Sequence, residues 1–195
     1  MNKNNKVLEL IINFVKAINN GVFCDDTYEI KSPKYLLNQI IRQVSIPENN
    51  YYISEKAKQK WEELSKENIK NYSYQKKVYC NNENSIIVKC YKNNGKNFEE
   101  KQLIKGKRFI YKDIFHDEHM IPIDVIIKQL CDLEFKNNLN YNSVKNILNN
   151  IFVCKMLKEE DRNIKEKYKR PYNLKQIIEK IYMPAGIKII KLNNI

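Results

Sequence analysis

The chain has 195 residues, 43% of them hydrophobic, with only four glycines and five prolines; this excludes a disordered tail protein and a repeat array. It carries 35 basic against 23 acidic residues, a formal charge of +12. That excess favours an acidic partner, nucleic acid before an anionic membrane surface. The predominance of lysine over arginine is what an AT-rich genome would produce, but such a bias does not account for the excess of base over acid.

Five cysteines, Cys24, Cys80, Cys90, Cys131 and Cys154, are odd in number and form no CxxC. A disulfide framework and a structural zinc knuckle are therefore not expected. The apolar run from Val7 to Val15 is interrupted by Glu9 and Asn13 and falls short of the ~20 residues needed to span a bilayer. With no small-residue cleavage pattern near the start, a cytoplasmic protein without a membrane anchor is expected.

Apolar residues at Val7, Leu8, Ile11, Ile12, Val15 and Ile18 follow the 3.6-residue period of a first helix, ended by Asn19-Asn20-Gly21. Ser32-Pro33 announces a second helix through Leu36, Ile40 and Ile41 to about Val44. A third follows Ser54 and carries the only tryptophan, Trp61. Residues 1–71 thus read as a helical accessory region, a surface for target recognition or for a homodimer.

From about Tyr72 the pattern changes, and Val78, Tyr79, Ile86–Val88 and Tyr91 predict short strands, with a turn at Asn93-Asn94-Gly95. Lys105 to Phe115 reads as one further strand leading into FHDEHMIP, Phe115–Pro122. Ile123 to Leu133 has helical periodicity, and Asn140 is placed to cap another helix through Val144, Ile147, Leu148 and Ile151. IFVCKML contains a strand; KEEDRNIKEKYKRPY is a charged helix; Asn173 to Tyr182 is one more helix, before a last strand, IKIIKL. The fold class expected is α+β, with residues 72–195 as the mixed catalytic or binding part.

FHDEHMIP holds both histidines of the chain, His116 and His119, with Asp117 and Glu118 between them. A histidine beside carboxylates can take a proton near neutral pH, and a carboxylate can hold a divalent cation. Those are the components of metal-assisted hydrolysis. Both histidines could ligate one metal on a helix, whereas on a strand they point to opposite faces. From the residues alone a solvated polar loop is an equal alternative.

Glu118-His119-x-x-Pro122, after a strand and before a helix, resembles the opening of the HNH nuclease superfamily, whose core is a ββα-metal fold. Bacterial HNH-type proteins of restriction or phage-defence type are similar over about Phe109 to Leu192, including the acidic segment Glu159-Glu160-Asp161, Tyr182 and the strand after Gly186. The resemblance implies a metal-dependent endonuclease acting on DNA, with RNA as a further substrate class, and Mg²⁺ or Mn²⁺ as cofactor. It implies Glu118 as metal ligand and His119 as general base. The family's last His or Asn has no counterpart among two histidines, and Asp161 and Asn163 on the charged helix are its substitutes. Asp161 also fits as a first-turn acid that complements a helix dipole, and Asn163 as a surface residue.

Basic residues flank this segment: Lys105, Lys107, Arg108 and Lys112 before it, and Arg162, Lys165, Lys167, Lys169 and Arg170 after it. They could neutralise phosphates, or form a solvated face. The alternative to a nuclease is a non-catalytic nucleic-acid-binding protein with a degenerate HNH-like site.

Overall fold

The computed structural model describes residues 3–21, 33–44, 46–73, 75–92, 97–164 and 173–192. The chain divides into two compact units: Met1–Pro47 with Ile121–Phe152, and Glu48–Met120 with Val153–Ile195. The class is α+β, and no helix among the described residues is long and apolar enough to cross a membrane.

The first unit is helical. It contains α1 (Lys3–Asn19), α2 (Pro33–Arg42), α5 (Ile123–Phe135) and α6 (Tyr141–Leu148). The apolar stripes read from the sequence meet here: Ile11, Val15, Leu37, Ile41, Ile126, Leu130, Val144 and Leu148 are all buried. Asn140 caps α6 through a reciprocal pair with Ser143, its Oδ1 accepting the Ser143 N–H at 3.0 Å. Ser32, expected to cap α2, lies outside the described residues.

Among the described residues, the second unit holds all the strands. In chain order it contains β1 (Tyr51–Ser54), α3 (Glu55–Leu64), β2 (Lys77–Tyr79), β3 (Ile86–Tyr91), β4 (Phe98–Leu103) and β5 (Arg108–Ile110). There follow the single turn α4 (Tyr111–Ile114), β6 (Phe115–His119), β7 (Val153–Leu157), α7 (Lys158–Asn163), α8 (Leu174–Ile177) with a π-type turn to Tyr182, and β8 (Ile189–Lys191). The main sheet has the order β6-β7-β1-β8, with β1 parallel to β7 and the other pairs antiparallel. β2 pairs with β5 and β3 with β4 as separate antiparallel ribbons. The turn expected at Asn93–Gly95 lies outside the described residues, between paired strands.

The boundary expected between residues 71 and 72 does not coincide with the division between these units. Tyr51-Tyr52-Ile53 is aromatic and β-branched, suited to a pleated, half-buried surface, and it inserts beside β7 with Tyr51 opposite Val153. Residues 48–71 therefore pack with the sheet. Ser54 ends β1 and caps α3, accepting the Ala57 N–H at 3.1 Å.

The single strand expected over Lys105–Phe115 is also divided. Tyr111 donates its backbone N–H to Lys76 O at 2.9 Å, and the turn of α4 buries Tyr111 and Ile114. This carries the chain from the β2–β5 ribbon to the edge of the main sheet. Beneath that sheet Trp61 lies 5.0 Å from Tyr72 and 5.5 Å from Phe115, and Tyr111 stacks on Phe115 at 5.1 Å. Such contacts contribute about 1 kcal/mol each beyond burial, and they hold the start of β6 firmly.

Candidate metal centre

Successive side chains of a strand point to opposite faces. On β6 the pleat puts His116 and Glu118 on one face, opposite Met156 and Cys154 of β7, and Phe115, Asp117 and His119 on the other. The second face carries the core, with Phe115, Leu157 and Ile53. The first face is the one on which α7 lies, because its Glu160 Oε2 accepts the Ser54 hydroxyl at 2.5 Å and the Leu157 N–H at 3.0 Å. Glu160 is 3% exposed, and these two bonds fix the rotation of the helix.

One step further along α7, Asp161 reaches His116 and Glu118. One ligand atom from each of the three residues lies within 4.8 Å of the others. His116 Nε2 is 3.1 Å from Glu118 Oε2. The Glu118 side chain is 14% exposed, that of His116 39%, and Asp161 Oδ1 is buried. Two ligands on one ion at ~2.1 Å each are at most roughly 4.2 Å apart, so small rotations of these side chains would suffice to share a cation. The three donors could hold a metal ion.

The electrostatics agree. Cys154 lies opposite Glu118 on β7, and burial first, then the carboxylates of Glu160, Glu118 and Asp117, push its thiol well above the usual range. Three carboxylates thus lie near Cys154 in a chain of charge +12. On the core face Asp117 is committed elsewhere: its Oδ1 accepts from Lys155 Nζ at 3.0 Å and from the Tyr111 hydroxyl at 2.7 Å. Lys155 is 1% exposed and also donates to Tyr72 O at 2.6 Å. Burial, then Asp117, raises the Tyr111 phenol well above its usual value.

Of the expected site residues, Glu118 and Asp161 are brought together. His119, the expected general base, is not with them: it faces the other side of β6, opposite Val153. The histidine beside Glu118 and Asp161 is His116. Asn163 is exposed at the end of α7, and two residues from Asp161 it projects from a different side of the helix. The period-2 rule that separates the two histidines also separates Glu118 from His119, so the sequence already held this signal.

Among the basic residues, Lys105, Lys107 and Arg108 are exposed and Lys112 is half-buried on α4. Lys105 pairs with Glu83, and Arg108 stacks over the exposed Tyr79 at 5.3 Å. Arg162 stacks over Tyr91 at 5.0 Å. Lys165, Lys167, Lys169 and Arg170 lie outside the described residues. Comparison with protein-family models, with curated proteins and with solved structures returns no match.

Proposed function

We propose that this chain is a metal-dependent endonuclease of HNH type, hydrolysing phosphodiester bonds in DNA, with Mg²⁺ or Mn²⁺ as cofactor and a place in restriction or phage defence. The observation that carries the reading is the convergence of His116, Glu118 and Asp161 from an antiparallel strand pair and the helix that follows it. A strand–strand–helix unit holding acid and imidazole side by side is the arrangement the resemblance calls for, although residues 121–152 separate its two strands.

Glu118 and Asp161 would hold the ion, their two charges offsetting a hard dication that keeps its other positions for water and phosphate. When bound, that ion supplies stabilisation of the charge that builds on the phosphate and the leaving oxygen. His116 is the general base in place of His119. Its ring is oriented by Glu118 at 3.1 Å and its side chain is 39% exposed, so an oriented imidazole within reach of solvent would take a proton from an attacking water. Lys105, Lys107, Arg108, Lys112 and Arg162 would neutralise backbone phosphates and make binding fall steeply with salt.

Incubation of plasmid and modified DNAs with Mg²⁺, Mn²⁺ or EDTA tests this. Cutting that requires the metal and is lost in Glu118→Gln and Asp161→Asn is the expected result, and absence of cutting under every metal would overturn it. The hydrogen bond between His116 and Glu118 supports a second reading, because it lets the cluster close on itself with no ion. A non-catalytic nucleic-acid-binding protein would bind DNA equally in EDTA and cut nothing.

A further inference from the structure

β2 and β5 form a two-stranded antiparallel ribbon in which Val78 lies opposite Phe109 and Tyr79 opposite Arg108. Its pleat gives it two faces. Val78 and Phe109 are buried in the core of the second unit, while Lys77, Tyr79 and Arg108 stand on the other face and are exposed. Tyr79 keeps 50% of its surface in water, although burying an aromatic ring is one of the larger gains open to a fold. The Arg108 guanidinium lies 5.3 Å from the centroid of that ring, a cation–π contact that restrains the ring without covering it.

The positive charge on this face is not offset within the ribbon. Among the described residues neither Lys77 nor Arg108 forms an ion pair. The turn before β5 adds Lys107, held by the Cys80 N–H donating to its carbonyl at 2.9 Å, with an ammonium that donates to the uncharged Gln102 O at 3.1 Å. Lys105, in the same turn, is instead paired with Glu83. An open aromatic ring amid such cations suits a ligand that has flat apolar faces and regularly spaced negative charges. A nucleic-acid strand has both. In a duplex the base faces are covered by their neighbours in the stack, whereas an unpaired strand presents base and phosphate together.

We propose that the outer face of the β2–β5 ribbon binds an unpaired strand of DNA, with a base stacked on Tyr79 and the flanking phosphates held by Lys77, Lys107 and Arg108. The choice of DNA rests on the nuclease reading; the stacking does not. The ribbon belongs to the unit that carries the candidate metal centre, and β5 leads through α4 directly into β6 and His116. A DNA held here while being cut would therefore have a locally opened or single-stranded segment.

The test is fluorescence anisotropy in EDTA, across a salt series, with a labelled DNA strand, the same strand made abasic along its length, its duplex and its RNA counterpart. The proteins are wild type, Tyr79→Leu, Tyr79→Phe, Lys77→Met and Lys188→Met, the last removing a surface lysine that pairs with Glu55. Tyr79→Leu is expected to weaken binding of the intact strand roughly tenfold and that of the abasic strand and the duplex by no more than about twofold, with Tyr79→Phe near wild type. Lys77→Met should reduce the salt slope by about 0.7 and Lys188→Met should leave it unchanged. Equal weakening of intact and abasic strands by Tyr79→Leu, or equal slopes in the two lysine variants, would overturn the inference. Wild type binding the abasic strand as tightly as the intact one, or binding neither, would overturn it without recourse to a variant, and tighter binding of the RNA would overturn the choice of DNA. Cutting in Mn²⁺ is read on the same proteins. Loss of the Tyr79 effect in an enzyme that cuts refutes only the stacking; the Tyr79 effect in a protein that cuts nothing refutes only the nuclease reading.

Discussion

Glu118 Oε2 lies 3.1 Å from His116 Nε2, two positions back along the same face of β6, while His119, the very next residue, projects from the opposite face. The proposed chemistry therefore follows the pleat of the strand rather than the order of the motif. Removing His116 should reduce metal-dependent cleavage by at least about a hundredfold, the range of a general base. His119→Ala should stay within a few-fold of wild type. Cleavage rates at saturating Mn²⁺ for the two alanine variants, side by side, decide between the histidines.

The opposite face of β6 predicts a stability effect. Asp117 is tied to the buried Lys155 and to Tyr111, and removing one partner of a buried pair strands the other charge. Because the Asp117 side chain is 28% exposed, Asp117→Ala should cost about 3 kcal/mol, the low end for such pairs. Adding Lys155→Met to it should recover part of that loss. A urea double-mutant cycle with Lys155→Met measures the coupling.

Thiol reactivity follows from burial. Cys80, Cys90 and Cys154 are buried, and the Cys154 thiol is pushed up by burial and by neighbouring carboxylates. Iodoacetamide at mildly alkaline pH should leave Cys154 unmodified in the folded protein and modify it fully in urea. Peptide mass spectrometry reads the outcome, and rapid labelling in the native state would contradict the sheet order.

Alkaline stability should depend on Tyr72. Burial first, and then its hydrogen bond to Glu67, push the phenol up to about 12, above the ordinary tyrosine value. The folded state holds the proton more tightly than the unfolded chain, so this contribution is complete below about pH 10 and is lost as pH rises through about 12. Tyr72→Phe should show a shallower decline over that window when urea midpoints are compared. An identical decline would remove the assignment.

The parts of the fold that depend on local chemistry were legible in the sequence. The stripe from Val7 to Ile18, the helix start after Ser54 and the Asn140 cap each depend on residues a few positions apart, and each is found where its pattern puts it. β1 was not legible, because YYIS is four residues long and becomes a strand only by pairing with Val153–Lys155, about a hundred positions later. The break at α4 depends likewise on Tyr111 meeting Asp117 and Lys76. At the site, Glu118 and Asp161 were readable as acids on a strand and a helix, but only their distance from His116 joins them.

The most direct test of the central claim is a titration with Mn²⁺, followed by electron paramagnetic resonance of the free ion, for wild type and Asp161→Asn in the absence of DNA. One ion bound by wild type, with at least about tenfold weaker binding by the variant, is the result predicted for a cluster built from β6 and α7. Equal binding by the two proteins, or none by wild type, would contradict it.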